Sequence, residues 1–313
     1  MKKNDKMLPI IAGISSSIIF GFSFLFIKGA LDRVDPIDLL ALRFGIAALL
    51  LLILKAVGII KINYEGKNLK PLLILSIFQP VLYFIFETLG VRIATTSEAG
   101  MMMAIIPIMV TCLAAIYLKE IPSKKQVFCI GISLLGVISI VLASRSGNDK
   151  GNIWGILFLF MAVICAAMLN ILSRKSSVVF KPVETTFFMI CTGAVFFNVM
   201  SIGKYFITGN DVLYISLLGT KTVLIAVVYL GILSSVIGFF LINYALANME
   251  ASRVAIFGNL ITVTSIAAGV LILKESFTIY QFMGCLMILL GVWGTNYYGE
   301  KKKLMSEKNM RME

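Results

Sequence analysis

Long apolar runs separated by short polar segments dominate the chain. Ten runs of 17 to 24 residues can be distinguished, and the segments between them carry charged residues, proline and glycine. A helix needs roughly 20 mostly apolar residues to cross the hydrocarbon core of a bilayer, so each run predicts one transmembrane helix. The predicted spans are 8–27, 37–54, 72–90, 97–118, 127–143, 153–172, 183–202, 223–246, 254–273 and 279–298.

The second half of the chain repeats the first. Three identical stretches recur 155 residues later (273 − 118 = 155): Leu-Lys-Glu at 118–120 and 273–275, Gln at 126 and 281, and Leu-Leu-Gly-Val at 134–137 and 289–292. Because about five spans, an odd number, separate the copies, the second copy is expected to lie upside down relative to the first. We therefore predict an all-α polytopic membrane protein of two inverted five-helix repeats, residues 1–145 and 146–300, with a basic tail at 301–313.

The composition agrees with a membrane protein. Hydrophobic residues make up 59% of the chain and charged residues 14%, and the mean hydropathy is +0.97. These values lie outside the range of ordinary soluble domains. The chain is therefore expected to be an integral protein of the cell membrane, with the lipid bilayer as a partner and the oligomeric state left open.

Lysine and arginine in the loops predict the orientation, because short loops rich in these residues stay in the cytoplasm. With the N-terminus inside, 19 of the 28 Lys and Arg residues fall on the inner side and eight on the outer side, while Arg43 lies within a span. Both termini are therefore predicted to be cytoplasmic. The net charge of +12 is scattered over loops and tail, which favours attraction to anionic lipid over binding to nucleic acid.

The sequence does not indicate an enzyme. The chain has no histidine, and its five cysteines fall inside apolar spans at spacings that match no metal site. We interpret them as small packing residues and predict no metal and no cofactor. No nucleophile with a base and no carboxylate cluster is assembled, and the phosphate-binding signature of ATP-driven machines is missing. A secondary transporter, driven by a gradient or by exchange, is favoured.

Several short motifs carry a resemblance to a known family. In the first half they are Phe20-Gly21-Phe22-Ser23 with Lys28, Leu42-Arg43-Phe44, and residues 99–107 followed by 118–120. In the second half they are Asn243-Tyr244-Ala245-Leu246, Ala251-Ser252-Arg253, Asn259-Leu260 and Glu275. Over essentially its whole length the chain resembles the drug/metabolite transporter superfamily, in the branch built from two EamA-type repeats. Two positions depart from the pattern. Phe20 stands where tryptophan is common, and Thr262, aligned with Pro107 by the 155-residue shift, stands where proline is usual.

The resemblance implies a ten-helix protein with pseudo-twofold symmetry that moves small polar or amphipathic metabolites by alternating access, often outward. The two departures leave open the shape of the pocket and the kink of the ninth helix. We predict a secondary transporter that takes a small-molecule substrate, an amino-acid-like or amphipathic compound, and acts in export. The alternatives are a lipid or amphiphile flippase of the same architecture, a passive pore, and a membrane-embedded enzyme.

Ionisable side chains in the spans are candidates for substrate binding or coupling, because a charge near the bilayer centre costs roughly 2.5 to 3.5 kcal/mol. Five such residues gather toward the outer half of the predicted bundle: Lys28, Arg43, Glu87, Arg92 and Glu98. Arg43 and Glu87 could pair across helices. That pair leaves Lys28 or Arg92 to meet an anionic group of the substrate, with Glu87 or Glu98 as a candidate proton acceptor. Alternatively, all five reach the outer membrane interface.

Uncharged polar residues deeper in the spans form a second set: Ser23, Gln79, Tyr83, Asn170, Asn198, Asn243, Tyr244 and Asn259. Tyr83, Asn243 and Asn259 are predicted to line the cavity, and Ser23 is a further candidate for substrate binding. Any of them could instead tie neighbouring helices together, an interaction worth about 0.6 to 2 kcal/mol.

Two prolines inside spans are candidate hinges. Pro80 and Pro107 each remove a backbone hydrogen bond and bend the helix, so they could act as flexing points of a gate or give fixed curvature. Glu120 and Glu275, the repeated acids, each follow a lysine at a helix end. Their expected role is to cap a helix at the surface.

Overall fold

The computed structural model describes residues 3–118, 123–146, 153–208, 214–249, 251–275 and 277–310. Within these ranges the chain forms helices joined by short connections, without a strand. In the described part of the chain, seven helical segments are long and apolar enough to cross a membrane, and two shorter apolar helices, Gly258–Leu271 and Phe282–Gly291, accompany them. The prediction of an all-α polytopic membrane protein is confirmed.

Each of the ten predicted spans coincides with a helix or with a pair of helices. In chain order the helices are α1 (Lys3–Leu31), α2 (Pro36–Ala56), α3 (Lys70–Ser76), α4 (Tyr83–Ile93), α5 (Thr96–Met103), α6 (Ile106–Leu118), α7 (Lys124–Ser146), α8 (Ile153–Ser176), α9 (Pro182–Thr208), α10 (Lys221–Val228), α11 (Phe239–Asn248), α12 (Ala251–Ile256), α13 (Gly258–Leu271) and α14 (Ile279–Met310). A short 3₁₀ helix, Tyr214–Gly219, precedes α10. The third, fourth, eighth and ninth spans each consist of two helices with an interruption between them.

Local sequence signals fix where helices begin. The side chain of Asp35 accepts a hydrogen bond from the amide of Ile37 at 3.2 Å, and Pro36 occupies the first helical position of α2, as expected for a helix start. Thr95 and Glu98 form a reciprocal capping box at the start of α5. Because the second cap starts α5 at Thr96, only two residues separate α5 from the end of α4, and the two helices are joined by a tight turn.

Four helix interruptions occupy equivalent places in the two halves. Ile77–Leu82, between α3 and α4, contains the extended backbone of Gln79 (φ −148°, ψ 116°), and Tyr229–Gly238, between α10 and α11, forms widened π-helical turns. The 155-residue displacement carries the first segment onto 232–237, inside the second. The α5–α6 break at 104–105 and the α12–α13 break at Phe257 match to within three residues. Paired interruptions of this kind mark binding sites in proteins built from membrane repeats.

The two halves of the bundle are interleaved. Helix α2 packs against α9 and α7 against α14, and both pairs join a helix to its counterpart in the other half. Helix α1 packs against α11, while α8, the counterpart of α1, packs against α4, the counterpart of α11. The packing is therefore symmetric under exchange of the halves. The inversion of one half relative to the other stays a prediction from the odd number of spans.

Close packing of α7 on α14 depends on Gly136. A Cβ atom at this position would lie 2.6 Å from the carbonyl oxygen of Gly284 and 2.9 Å from the Cγ1 atom of Ile288. Replacing Gly136 with alanine must push the helices apart, and overpacking of this kind costs typically 1 to 3 kcal/mol. We expect a lower midpoint of thermal unfolding in detergent. Gly131, on the same helix, has open space around its Cβ position, so Gly131→Ala is the matched control. Equal midpoints for the two variants would contradict the α7–α14 contact.

Candidate functional site

The interrupted helices surround one internal cavity of about 70 Å³. Its walls come from α1, α2, α4, α5, α6, α8, α11, α12 and α13 and from the interruptions that contain Gln79 and Ser234. Phenylalanine, leucine, isoleucine and methionine side chains form most of the surface. The polar side chains that line it are those of Ser17, Ser23, Arg43, Gln79, Tyr83, Glu87, Asn170 and Ser234.

Arg43 projects from α2 into this cavity and is 1% exposed. Its Nε donates to the hydroxyl of Ser235 and its Nη2 to the hydroxyl of Ser234, both at 2.8 Å. The guanidinium carbon lies 4.2 Å from the ring centroid of Phe84, within the range of a cation–π contact. The remaining nitrogen, Nη1, is buried and has no hydrogen-bonding partner in the protein. The donor capacity of this nitrogen, which belongs to a permanently charged group that lines the cavity, is therefore unused within the protein.

Glu87 lies on α4, one helical turn after Tyr83. The Tyr83 hydroxyl donates to the Oε1 atom of Glu87 at 2.7 Å, and both side chains are buried. The second carboxylate oxygen, Oε2, is buried without a hydrogen-bonding partner. Tyr83 therefore orients the carboxylate, and one strong acceptor remains unused.

Two amide oxygens complete a set of four unpartnered polar atoms on the cavity wall. The Oε1 atom of Gln79 and the Oδ1 atom of Asn170 are buried without partners, while the Nδ2 atom of Asn170 donates to the carbonyl of Ala166 at 2.9 Å. A buried polar atom without a partner costs free energy, and native structures contain few of them. Gln79 and Asn170 line the same cavity as a cationic and an anionic side chain, and this combination suits a small molecule that bears both a negative and a positive group.

The pairing of Arg43 with Glu87 that the sequence suggested is not formed in this conformation. Arg43 is held by two serines and Glu87 by Tyr83, and the ion pairs among the described residues join other side chains. Both groups nevertheless line the same cavity. A ligand that contacts both would therefore not have to break an existing ion pair.

Ser23 lies beside this site, whereas Asn243 is engaged elsewhere. The Ser23 Oγ atom is 2.9 Å from the Oγ atom of Ser234, which itself accepts from Arg43. The Oδ1 atom of Asn243 accepts from Ser173 at 2.7 Å and its Nδ2 atom donates to Thr186 at 3.0 Å. Asn243 thus ties α11 to α8 and α9 and is not among the residues that line the cavity.

Lys28 and Asn259 lie outside the cavity lining. The Lys28 ammonium donates to the carbonyls of Val91 and Ala94 at 3.0 and 2.7 Å, so it caps the C-terminal end of α4, where a cation is favourable. Asn259 is half-buried beside the lining residue Gly258, and its Oδ1 atom has no partner. The substrate-binding roles suggested for both residues stay predictions.

The two prolines sit at the interruptions. Pro80 directly follows the extended residue Gln79. Pro107 is the second residue of α6, immediately after the α5–α6 break at 104–105, and its carbonyl accepts from the Thr111 hydroxyl. Both are placed where a hinge would be, and the hinge role itself stays a prediction.

The other two predicted ionisable residues are exposed or serve the backbone. Arg92 is exposed near the end of α4, and Glu98 accepts from the amide of Thr95 in the capping box of α5. Glu120 lies outside the described residues. Glu275 caps α5, which belongs to the other half of the chain.

Sequence reasoning missed the two serines that hold Arg43. Ser234 and Ser235 lie in an apolar span without a nearby charge, so nothing in the local sequence singled them out. The internal repeat could have identified Ser234, because the 155-residue displacement relates it to Gln79 in the first half of the chain. Positions that line the cavity in one half thus point to positions that line it in the other.

Comparisons with known proteins agree with this architecture. The family model described as "EamA-like transporter family" matches residues 7–142 and 153–297. An uncharacterized transporter of Bacillus subtilis (strain 168), YcxC, is 34% identical over 96% of this chain and 97% of its own length. A probable amino-acid metabolite efflux pump of Escherichia coli (strain K12) is 23% identical over 96% of both chains. One solved crystal structure is similar with a TM-score of 0.62 at 17% identity, covering 92% of this chain and 96% of that one, a likeness of fold alone.

Proposed function

Because the chain belongs to the EamA-like transporter family, we propose that it is a secondary transporter that exports amino-acid-like metabolites across the cell membrane by alternating access. In this proposal the cavity around Arg43 and Glu87 binds the substrate. The two repeats, lying in opposite orientations, expose that cavity first to one side of the membrane and then to the other. Both termini face the cytoplasm.

One observation carries the proposal. Arg43, Gln79, Glu87 and Asn170, which line a single cavity, each have one buried polar side-chain atom that lacks a partner. The free nitrogen of Arg43 suits a carboxylate, and the free oxygen of Glu87 suits an ammonium group, because charge-assisted hydrogen bonds are the strongest available to each. The apolar remainder of the lining suits a hydrophobic side chain. An amino acid or a close derivative supplies all three features.

The cavity is small, so the transport cycle has to include a conformation in which it is wider. A volume of about 70 Å³ holds only about two water molecules, whereas ligand pockets generally start near 300 Å³. The site as described is therefore too small for a metabolite, and its walls have to separate before one binds. The helix interruptions next to Gln79 and Phe257 are the places where that movement requires the least disruption of continuous helix.

The relatives support the chemical class. Two of them, from Escherichia coli and Salmonella typhimurium, are named probable amino-acid metabolite efflux pumps, at 23% and 22% identity. The buried charges of the cavity agree with such a substrate better than with an acyl chain. An acyl chain gains nothing from an unpartnered guanidinium nitrogen and an unpartnered carboxylate oxygen.

Counterflow in liposomes tests the proposal. Purified protein is reconstituted into liposomes loaded with a mixture of unlabelled amino acids, and uptake of the same amino acids in radiolabelled form is followed from outside. We expect uptake driven by exchange, above that of protein-free liposomes. A lack of counterflow together with movement of a labelled phospholipid between leaflets would favour the flippase. Uptake that does not depend on the internal load would favour a passive pore.

A further inference from the structure

Glu275 connects the two halves of the chain by three hydrogen bonds. It lies in the connection after α13, and its carboxylate reaches the first turn of α5. The Oε1 atom accepts from the Thr96 amide at 2.7 Å, and the Oε2 atom accepts from the Ser97 amide at 3.0 Å and from the Ser97 hydroxyl at 2.8 Å. A carboxylate that accepts several hydrogen bonds at the positive end of a helix makes a strong contact.

This contact ends a close-packed seam between α5 and α13. The seam consists of the facing residues Ser97, Gly100 and Met103 on α5 and Gly258, Thr262, Ser265 and Gly269 on α13. The Thr262 hydroxyl donates to the carbonyl of Gly100 at 2.8 Å, and a Cβ atom on Gly100 would collide with Ser265. Next to Glu275, a Cβ atom on Gly269 would lie 2.6 Å from the Ser97 hydroxyl. Small residues let the two helix backbones approach closely along the whole seam.

The seam runs from the cavity to one end of the bundle. Met103 and Gly258, at its inner end, line the cavity. Ser97 and Glu275, at its outer end, lie beside the tight turn between α4 and α5. The seam therefore closes the cavity on this side, and the cavity cannot open here unless α5 and α13 separate. Separation requires the hydrogen bonds of Glu275 to break first or at the same time.

We propose that Glu275 is a latch that holds the α5–α13 seam shut, and that its release opens the substrate cavity toward this end of the bundle. The inference rests on the proposed alternating access of the cavity. The hydrogen bonds of Glu275 go to Thr96 and Ser97, which are not among the residues that line the cavity, so Glu275 is a positioning residue. It sets the balance between the closed state and the state open at its own end.

The repeat supplies a counterpart for the latch. The 155-residue displacement that relates Glu120 to Glu275 also relates Ser252 to Ser97. Glu120 lies outside the described residues, so the sequence alone carries this part of the inference. In an inverted repeat the equivalent contact lies at the opposite end of the bundle, where it would close the cavity on the other side of the membrane.

Cysteine accessibility tests the latch without knowledge of the substrate. Ala255 is buried on the cavity wall, and Ala255→Cys places a reporter there. A membrane-impermeant maleimide is applied to one side of sealed vesicles at a time, and labelling of the protein without the reporter is subtracted. Arg33→Cys, in the exposed loop after α1, identifies the Glu275 side, since the ends of α1 and α4 meet through Lys28.

Glu275→Gln keeps the shape of the side chain and removes the charge that strengthens its hydrogen bonds. We expect the labelling rate of the reporter to rise about tenfold from the Glu275 side and to stay unchanged from the other side. Glu98→Gln is the matched control, because Glu98 also caps α5 but does so from within the same helix. Its effect should stay below about twofold. Equal acceleration by both variants, or acceleration from both sides, would overturn the proposal.

Two further variants make the test independent of a single substitution. Gly269→Ala keeps the charge of Glu275 but places a Cβ atom against its carboxylate, so it should also raise labelling from the Glu275 side. Glu120→Gln should raise labelling from the opposite side, and a rise from the Glu275 side would contradict the symmetric latch. Counterflow is measured on the same latch variants without the Ala255→Cys reporter, because Ala255 lines the cavity. If labelling rises from the expected side but amino-acid counterflow is absent, the proposed substrate is rejected and the latch is kept. If counterflow is present but labelling does not rise from the expected side, the latch alone is rejected.

Discussion

Replacing Arg43 with alanine is expected to lower the rate of amino-acid counterflow at least about 30-fold, because removal of one partner of a buried charge pair costs about 2 to 5 kcal/mol. Among the described residues that line the cavity, Arg43 is the only cation, and its Nη1 atom is the donor left for a carboxylate. Arg43→Lys keeps a positive charge but loses the planar fork that also holds Ser234 and Ser235. We expect it to retain more activity than the alanine variant. Initial rates of radiolabelled uptake provide the measurement.

The control for this substitution is another arginine that binds the backbone. Arg174 donates to the carbonyls of Leu246 and Ala247 at 3.1 and 2.8 Å, at the end of α11 and away from the cavity lining. Arg174→Ala should therefore change the rate of counterflow by less than about threefold, the scale of a lost helix cap. If Arg43→Ala transported normally in well-inserted protein, the cavity described would not be the substrate site.

Replacing Glu87 with glutamine is expected to lower counterflow of amino acids at least about tenfold, because an ammonium group loses its charged acceptor. The substitution keeps an oxygen that can accept from the Tyr83 hydroxyl, so the position of the side chain is preserved. A substrate analogue that has a carboxylate but no amino group should be affected much less. Competition by such analogues against labelled amino-acid uptake separates the two effects.

Tyr83→Phe provides the comparison for Glu87. It leaves the carboxylate charged and removes only the hydrogen bond that orients it, a contact of 2.7 Å. We expect a smaller loss than for Glu87→Gln, with the preference for amino compounds retained. A loss in Glu87→Gln that is equal for substrates with and without an amino group would contradict the role of Glu87 as the ammonium acceptor.

The sequence was sufficient to predict an all-α membrane protein and the approximate places of its helices, because a lipid environment makes apolar runs of a fixed length diagnostic. It was less informative about where helices break. Pro80 and Pro107 identified two of the interruptions, since proline removes a backbone donor. The widened turns at Tyr229–Gly238 contain no proline, and only their position opposite Arg43 and in register with the first half singles them out.

The candidate site could be predicted only in part. Arg43, Glu87, Tyr83 and Ser23 were selected as polar residues in apolar spans, and all four line the cavity. Asn243 fulfils the same criterion and instead ties three helices together. In a membrane both the lipid-facing and the buried surfaces of a helix are apolar, so the pattern along the sequence does not reveal which way a polar side chain points. That information came from the contacts between helices.

Thr262 departs from the family pattern, and its side chain makes a contact that a proline could not make. A proline at this position would have no hydroxyl, whereas Thr262 donates to the Gly100 carbonyl in the centre of the α5–α13 seam. The ninth span is interrupted five residues earlier, at Phe257. The interruption is therefore retained without a proline at position 262, and the side chain there joins the two halves.

The central claim is that two five-helix repeats face opposite ways across one membrane and enclose the substrate cavity between them. Lys124 and Tyr280, both exposed, stand at the starts of the equivalent helices α7 and α14. With cysteine at either position, an impermeant maleimide applied to intact cells should label position 280, and position 124 only after the membrane is permeabilised. Labelling of both positions from the same side would contradict the account.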